Sequence, residues 1–359
     1  MPLPPPLSDP LLKYLGRAGD ALAVTRPRAV VTGGAGFIGS HLVAELLHRG
    51  FAVHVVDDLS TGSLGNLAAV VAHAALRVTV ASVAEPAVAA RACADADIVF
   101  HLAGVVGVRL LASEPLAVMQ RNLQCTAAML AAASDHRVPV VLASSSEVYG
   151  DGPVPFCEGD PVRPGVTEGL RGGYACAKAM GEWLAFGHAD RSGLPVVVAR
   201  LFNTVGPRQS GDHGMVLPRF VQQATCGEPI TVYGNGEQTR CFAHVAEVVA
   251  ALIDLANAPG CAGRVFNVGS AVETTVADLA ILVRDIAGSS SSIAYVPFAE
   301  VFPAGFADPP RRLPSLDRLH RAIGWVPSAS LEVIVRELVT LAQGAAMPGP
   351  AIAVAGPHG

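Results

Sequence analysis

Charge is scarce in this sequence. Only 15% of its 359 residues are Asp, Glu, Lys or Arg, against roughly 25% in an average globular protein. The 25 basic and 30 acidic residues leave a formal net charge of -5, so no broad basic field is available to hold nucleic acid. Aromatic residues are equally sparse at 5%, which removes the stacking platforms that single strands require. The seven cysteines, at positions 93, 125, 157, 176, 226, 241 and 261, are odd in number and never form C-x-x-C. That usage excludes a disulfide framework and a paired-cysteine zinc site, and it suits a reducing compartment. No stretch reaches 18 apolar residues without a charge or a cluster of glycine and proline, so no membrane span is expected. The first twenty residues lack the basic start and unbroken apolar run of a signal peptide. A cytoplasmic protein is predicted, with no nucleic-acid partner, no membrane contact and no metal site.

What the chain has is apolar residue content, 51%. That proportion suits a parallel sheet covered on both faces, whose strands are nearly continuous apolar runs. Residues 1–27 begin proline-rich and read as an N-terminal extension. From Arg28 short apolar runs alternate with amphipathic stretches: strands over 29–32, 51–57, 97–102, 138–144 and 195–201, and helices over 38–49, 115–134 and 173–190. Such alternation predicts an α/β fold, a doubly wound parallel sheet. The region 28–201 is expected to bind a dinucleotide and carry the catalytic residues. Residues 202–340, richer in glycine and proline, are expected to form mainly a smaller C-terminal substrate-binding lobe, and 341–359 a disordered tail.

The first chemical motif is Val30-Val31-Thr32-Gly33-Gly34-Ala35-Gly36-Phe37-Ile38-Gly39, a strand feeding a glycine turn that opens a helix. Gly33, Gly36 and Gly39 allow a tight turn and close approach of backbone N–H groups to a pyrophosphate at the helix N-terminus. About twenty residues on, Val53 to Asp57 reads as a second strand ending in an acid. Asp57 is placed to accept ribose hydroxyls and to repel a 2′-phosphate, which predicts NAD rather than NADP. Asp58, Leu59 and Ser60 would flank the adenosine. The strand ending His101-Leu102-Ala103-Gly104 leaves room for phosphates, and His101 reads as a packing residue.

The second motif is Tyr174-Ala175-Cys176-Ala177-Lys178, whose tyrosine and lysine lie four apart on one helical face. An ammonium beside a phenol lowers its pKa and makes it a usable base. Ser144-Ser145-Ser146-Glu147 follows a predicted strand, where parallel sheets place their chemistry. With Ser144 to Gly150, Arg200 to Arg208, Val232-Tyr233-Gly234 and Arg240, the chain resembles the extended short-chain dehydrogenases/reductases of the nucleotide-sugar epimerase/dehydratase family over about residues 28–340. The resemblance implies a Rossmann-type sheet, NAD, a nucleoside-diphosphate sugar as substrate, and a homodimer built through a four-helix bundle. It also implies roles. Ser145 and Tyr174 would hold the reacting hydroxyl, with Tyr174 as base. Lys178 would hold the nicotinamide ribose and tune Tyr174, and Asn122 would support the helix carrying that pair. Phe37, Ile38, Leu102 and Ala103 join the cofactor set. Ser146, Asn203, Arg208, Tyr233, Arg240 and Arg312 would line the substrate, with Asn203, Arg240 and Arg312 on its diphosphate.

The resemblance leaves the outcome open. A 4-epimerase is the first reading. A dehydratase, or a UDP-glucuronate decarboxylase using Glu147 as base, is the alternative. In the family dehydratases usually carry Asp-Glu at the position of Ser146-Glu147, while glucuronate decarboxylases carry Ser-Glu. From another class, the same fold could serve a non-catalytic NAD(H) sensor, which would have no need for Ser145, Tyr174 and Lys178 together.

Overall fold

The computed structural model describes residues 26–167, 170–211, 214–302 and 309–346. The expected N-terminal extension up to residue 25 and the tail beyond 346 lie outside the described residues. The chain runs β1 (Arg28–Thr32), α1 (Phe37–His48), β2 (Ala52–Asp57), β3 (Leu76–Val80), α2 (Pro86–Cys93), β4 (Ile98–His101), α3 (Val108–Ser113), α4 (Pro115–His136), β5 (Val140–Ser145), α5 (Leu170–Ser192) and β6 (Val196–Leu201). The second half comprises β7 (Thr204–Val205), α6 (Val216–Cys226), β8 (Ile230–Tyr233), β9 (Thr239–Cys241), β10 (Ala243–His244), α7 (Val245–Asn257), β11 (Arg264–Val268), β12 (Glu273–Thr275), α8 (Val276–Ile286), β13 (Ile293–Val296), α9 (Phe298–Val301), α10 (Asp317–Ile323) and α11 (Leu331–Ala346).

Seven strands pair in the order β11-β6-β5-β4-β1-β2-β3, all parallel. Successive strand residues point to opposite faces, so Val31, Phe100, Val141 and Val197 pack under α1 and α7. Val30, Val99, Val140 and Val198 face α2, α4 and α5 on the other side. The α/β doubly wound class expected from the sequence is what forms. The order reverses at β1, between β2 and β4, which is where such sheets open a crevice at their carboxyl ends. Among the described residues no helix is long and apolar enough to cross a membrane.

Three details differ from the sequence reading. β3 and α2 were not expected; β3 is an edge strand with half-exposed residues, so its apolar run is weak. The main sheet does not end at residue 201, because β11 pairs with β6 and α7 returns over the same core. The smaller lobe is built around β8–β13, β9–β12, α6, α8 and α11, with its own core of Leu217, Phe220, Val232, Leu279, Val283, Ile334 and Val335. Finally, α11 continues to Ala346 rather than stopping at 340, since Val339 and Ala342 extend the apolar stripe that packs there.

One ion pair locks α5 to the sheet. Glu182 accepts from Arg200 Nε at 2.9 Å and Nη2 at 2.7 Å, and from Ser144 Oγ at 2.5 Å, with both charged side chains almost wholly buried. Arg200→Met would leave a buried carboxylate without its cation, and removing one partner of such a pair costs about 3–5 kcal/mol. Urea unfolding is expected to show that loss for Arg200→Met and a smaller one for the double variant Glu182→Gln/Arg200→Met. An unchanged midpoint for the single variant would contradict this account.

Candidate active site

A cavity of about 970 Å³ opens at the carboxyl end of the sheet and is walled by both halves of the chain. Its first wall is the glycine turn. Gly33 has φ +70, and a Cβ there would sit 2.8 Å from the Ala103 nitrogen; a Cβ on Gly39 would strike the Gly33 carbonyl. Glycine is therefore required at both positions, and Gly33, Gly36, Phe37, Ile38 and Gly39 all line the cavity. Asp57 caps the turn from below: its Oδ2 accepts the Ala35 N–H and its Oδ1 the Leu59 N–H, both at 2.9 Å. Burial pushes its carboxyl above the usual range, and these backbone donors oppose the shift. Asp58 and Ser60 face the cavity. Leu59, with φ 59, does not: its side chain packs on the main core.

On the opposite side of the glycine turn, Leu102, Ala103 and Asn122 form the wall. The resemblance implied that Asn122 supports α5; its hydrogen bonds run elsewhere. Its Nδ2 donates to the Val105 carbonyl at 2.9 Å and the Val118 carbonyl at 2.7 Å, which ties the segment after β4 to α4. Asn122 Oδ1 is buried without a hydrogen-bond partner and lies against Gly104, where a Cβ would come within 2.5 Å of it. A buried acceptor beside a backbone stripped to glycine fits a polar ligand group. His101 is the packing residue expected: its ring nitrogens meet Thr32 Oγ1 at 2.8 Å and Thr126 Oγ1 at 3.3 Å, and burial depresses its pKa to about 3.

At the centre, Ser145 lies beside the Tyr174 phenol, and Lys178 Nζ donates to the Ala143 carbonyl at 3.0 Å. The ammonium is thus held by β5. Burial pushes the Lys178 pKa down to about 8. The phenol of Tyr174 is pushed above its ordinary value by burial; the neighbouring Ser145 hydroxyl and Arg312 pull it down, while Glu147 pushes it up. The lowering by Lys178 expected from the sequence is not among the influences on Tyr174; the dominant one is the apolar enclosure made by Val105, Leu111 and Val118 with Phe298 and Phe302. Glu147 sits in a single 3-10 turn, Ser146–Tyr149, capped by Ser145 Oγ, rather than on a continued strand. Its Oε1 pairs with Arg312 Nη1 at 2.6 Å across 165 positions of chain.

The remaining residues singled out in the sequence also line the cavity: Ser146, Asn203, Arg208, Tyr233, Arg240 and Arg312. Asn203 Nδ2 donates to the Cys241 carbonyl at 3.0 Å, and Arg240 Nη1 to the Thr239 carbonyl at 2.6 Å. Arg208 reaches toward the glycine turn, its Nη1 donating to Ser40 Oγ at 3.2 Å. Sequence reasoning missed Arg219, whose guanidinium lies 3.8 Å from the Tyr233 ring centre; a lone arginine on a helix gives no signal. It also missed Ser63 and Asn66, although Asn66 holds the Ala35 carbonyl at 2.8 Å.

This geometry agrees with what the chain is similar to. The model of the NAD dependent epimerase/dehydratase family matches residues 29–269. The chain belongs to that family. NAD is accordingly its cofactor, and the protein is an enzyme of this NAD-dependent type. Among curated relatives, a UDP-N-acetyl-alpha-D-glucosaminuronate decarboxylase from Bacillus cytotoxicus is 36% identical over 88% of this chain and 97% of its own length. UDP-glucuronic acid decarboxylase 1 from Xenopus tropicalis is 34% identical over 86% of this chain and 70% of its own. Among solved structures, UDP-N-acetylglucosamine 4-epimerase from Methanobrevibacter ruminantium superposes with a TM-score of 0.78 at 30% identity, covering 88% of this chain and 98% of that one.

Because a carboxylate at Asp57 repels a 2′-phosphate, binding titrations are expected to show strong preference for NAD over NADP in the wild type. Asp57→Ala should narrow that preference. Equal wild-type affinity for both dinucleotides would remove Asp57 from this role.

Proposed function

We propose that this enzyme removes carbon dioxide from a nucleoside-diphosphate-linked hexuronic acid by way of a 4-keto sugar. The observation that carries the reading is the Glu147–Arg312 pair inside the cavity. A neutral sugar offers nothing that competes for a guanidinium already tied to a carboxylate. A uronate does, because arginine forks bind carboxylates in two parallel hydrogen bonds. The Asp-Glu pair of the dehydratases is absent here, since residue 146 is serine. The 33–36% identity to decarboxylases over most of the chain supports the same choice.

In this reading Gly33, Gly36, Phe37, Ile38 and Gly39 receive the NAD pyrophosphate. Asp57, Asp58, Ser60 and the Leu59 backbone receive the adenosine. Leu102, Ala103, Asn122 and Lys178 receive the rest, with Asn122 Oδ1 as a ready acceptor. When bound, NAD would supply the hydride acceptor for the first step and the hydride donor for the last. Ser145 orients the 4-hydroxyl and Tyr174 takes its proton, so the C–H pair leaves as hydride and a ketone remains. Arg240 and Asn203 hold the diphosphate, with Tyr233 and Arg208 at its flanks, while Ser146 lines the sugar. Arg312 receives the sugar carboxylate. The carboxylate is then β to a ketone: its C–C bond breaks, carbon dioxide departs, and the electron pair passes to the ketone oxygen as an enolate. Glu147, released from Arg312 by the incoming carboxylate, takes a proton from solvent and passes it to the carbon that lost the carboxyl group.

A 4-epimerase is the second reading, favoured by the Ser145–Tyr174–Lys178 cluster, which alone suffices for it, and by the similarity to a solved 4-epimerase. We also propose a homodimer. Leu116 and Leu123 on α4, with Met180 and Trp183 on α5, are exposed at helical spacings that form one outward apolar face.

UDP-glucuronate, UDP-N-acetylglucosaminuronate, UDP-glucose and UDP-N-acetylglucosamine, incubated with the enzyme in deuterium oxide, separate the readings by product NMR. The expected result is carbon dioxide and a nucleotide pentose carrying one deuterium at the carbon that lost its carboxyl group. Glu147→Gln should form NADH yet stall. Tyr174→Phe should lose about 10²–10⁴-fold in turnover. A C4 epimer without deuterium, formed by an active Glu147→Gln enzyme, would establish the epimerase instead.

A further inference from the structure

Glu147 and Arg312 come from distant parts of the chain, and neither segment belongs to the main sheet. Both are fastened to one side chain on it. Asn267, on β11, is fully buried. Its Oδ1 accepts the Tyr149 hydroxyl at 2.7 Å, and Tyr149 ends the turn that carries Glu147. Its Nδ2 donates to the Phe156 carbonyl at 2.9 Å and the Ser315 carbonyl at 3.2 Å. Phe156 in turn is laced to the segment following Arg312: its N–H donates to the Leu313 carbonyl and its carbonyl accepts the Ser315 N–H, both at 2.8 Å. The Phe156 ring stacks on Tyr149 at 4.7 Å, which joins the two sides a second time. Even the Asn267 backbone N–H is used, on Glu158 Oε1 at 3.0 Å.

We infer that Asn267 is a positioning residue for the second half of the reaction: one carboxamide sets the Glu147 turn through its oxygen and the Arg312 segment through its nitrogen. The inference rests on the decarboxylase reading for what the pair does, not for the pair's existence. Ser145, Tyr174 and Lys178 stand on β5 and α5, which Asn267 does not touch among its side-chain partners. Oxidation of the sugar should therefore survive its loss, while the step served by Glu147 and Arg312 should not. A displacement of about 1 Å at reacting groups costs about 10²-fold.

The test is rapid mixing of the full-length, NAD-loaded enzyme with UDP-glucuronate and UDP-N-acetylglucosaminuronate, reading NADH absorbance for the first step and product for the second. For Asn267→Ala, NADH formation is expected within about twofold of wild type, product formation about 10–10²-fold slower, and NADH accumulated in the steady state. Should Asn267→Ala fail to fold, Tyr149→Phe removes only the hydroxyl side and Asn267→Asp only the donor side. Each should raise the accumulated NADH. Equal slowing of both steps, or no accumulation in any variant, overturns the inference. The ratio of the two rates is defined for whatever product the wild type makes. Absence of carbon dioxide from the wild type would therefore count against the decarboxylase reading, while the partition ratio still decides the role of Asn267.

Discussion

The site depends on the register of one helix against one strand. Tyr174, Lys178 and Glu182 recur every four residues on α5, so they stand in a row on the face turned to β5. Lys178 donates to the Ala143 carbonyl, and Glu182 accepts from Ser144. Tyr174 meets Ser145. Three turns of the helix are thereby fastened to strand residues 143, 144 and 145, and Arg200 on the neighbouring strand neutralises Glu182. A helix sliding by one turn would bury an unpaired carboxylate, which costs several kcal/mol. The charge that fixes the helix also keeps the catalytic pair in place. In a chain so poor in charge, this pair is spent on geometry rather than on solubility.

The segments outside the main sheet are held by a different device. Their strands are short, two to four residues long in β7–β10 and β12–β13, and such pieces hold little on their own. They are tied by long-range polar contacts instead. Asn267 joins Tyr149, Phe156 and Ser315, and Glu273 binds Thr239 and Arg311. Side-chain amides suit such junctions because one group donates and accepts at once.

Most of the main sheet was legible because buried parallel strands are apolar runs and their helices are amphipathic. Six of its strands lie between Arg28 and Leu201 in near-regular alternation, and only the edge strand β3, half exposed, escaped. The return of β11 to the sheet was not legible, since RVFNV announces a strand but not its neighbour. Within the site, local motifs were readable: the glycine turn, Asp57, Ser145, and Tyr174 with Lys178 all line one cavity. What spacing could not show was pairing across the chain. Nothing local tells that Glu147 meets Arg312, that Arg219 stacks on Tyr233, or that Asn122 turns to the segment after β4. The pKa of Tyr174 was misjudged for the same reason. The ammonium four residues away is visible in sequence, whereas the enclosure by Val105, Phe298 and Phe302 is a product of tertiary packing.

That enclosure bears on how a decarboxylation would proceed here. The Glu147–Arg312 pair is neutral as a unit, so a uronate arrives bringing a negative charge that the pair does not already balance. When carbon dioxide leaves, that charge does not leave with it; it moves to the former ketone oxygen, beside Ser145 and Tyr174. Two sites for one negative charge therefore lie at opposite ends of a short path, one near a guanidinium and the other near a hydroxyl and a phenol. In an apolar surround such interactions act at low effective dielectric. A phenol whose pKa is raised by burial holds its proton firmly, and that makes it the better donor to an oxygen gaining charge when a base is no longer needed. The feature that makes Tyr174 a reluctant base in isolation suits it to stabilise the enolate, with the ammonium of Lys178 on the next turn of the same helix.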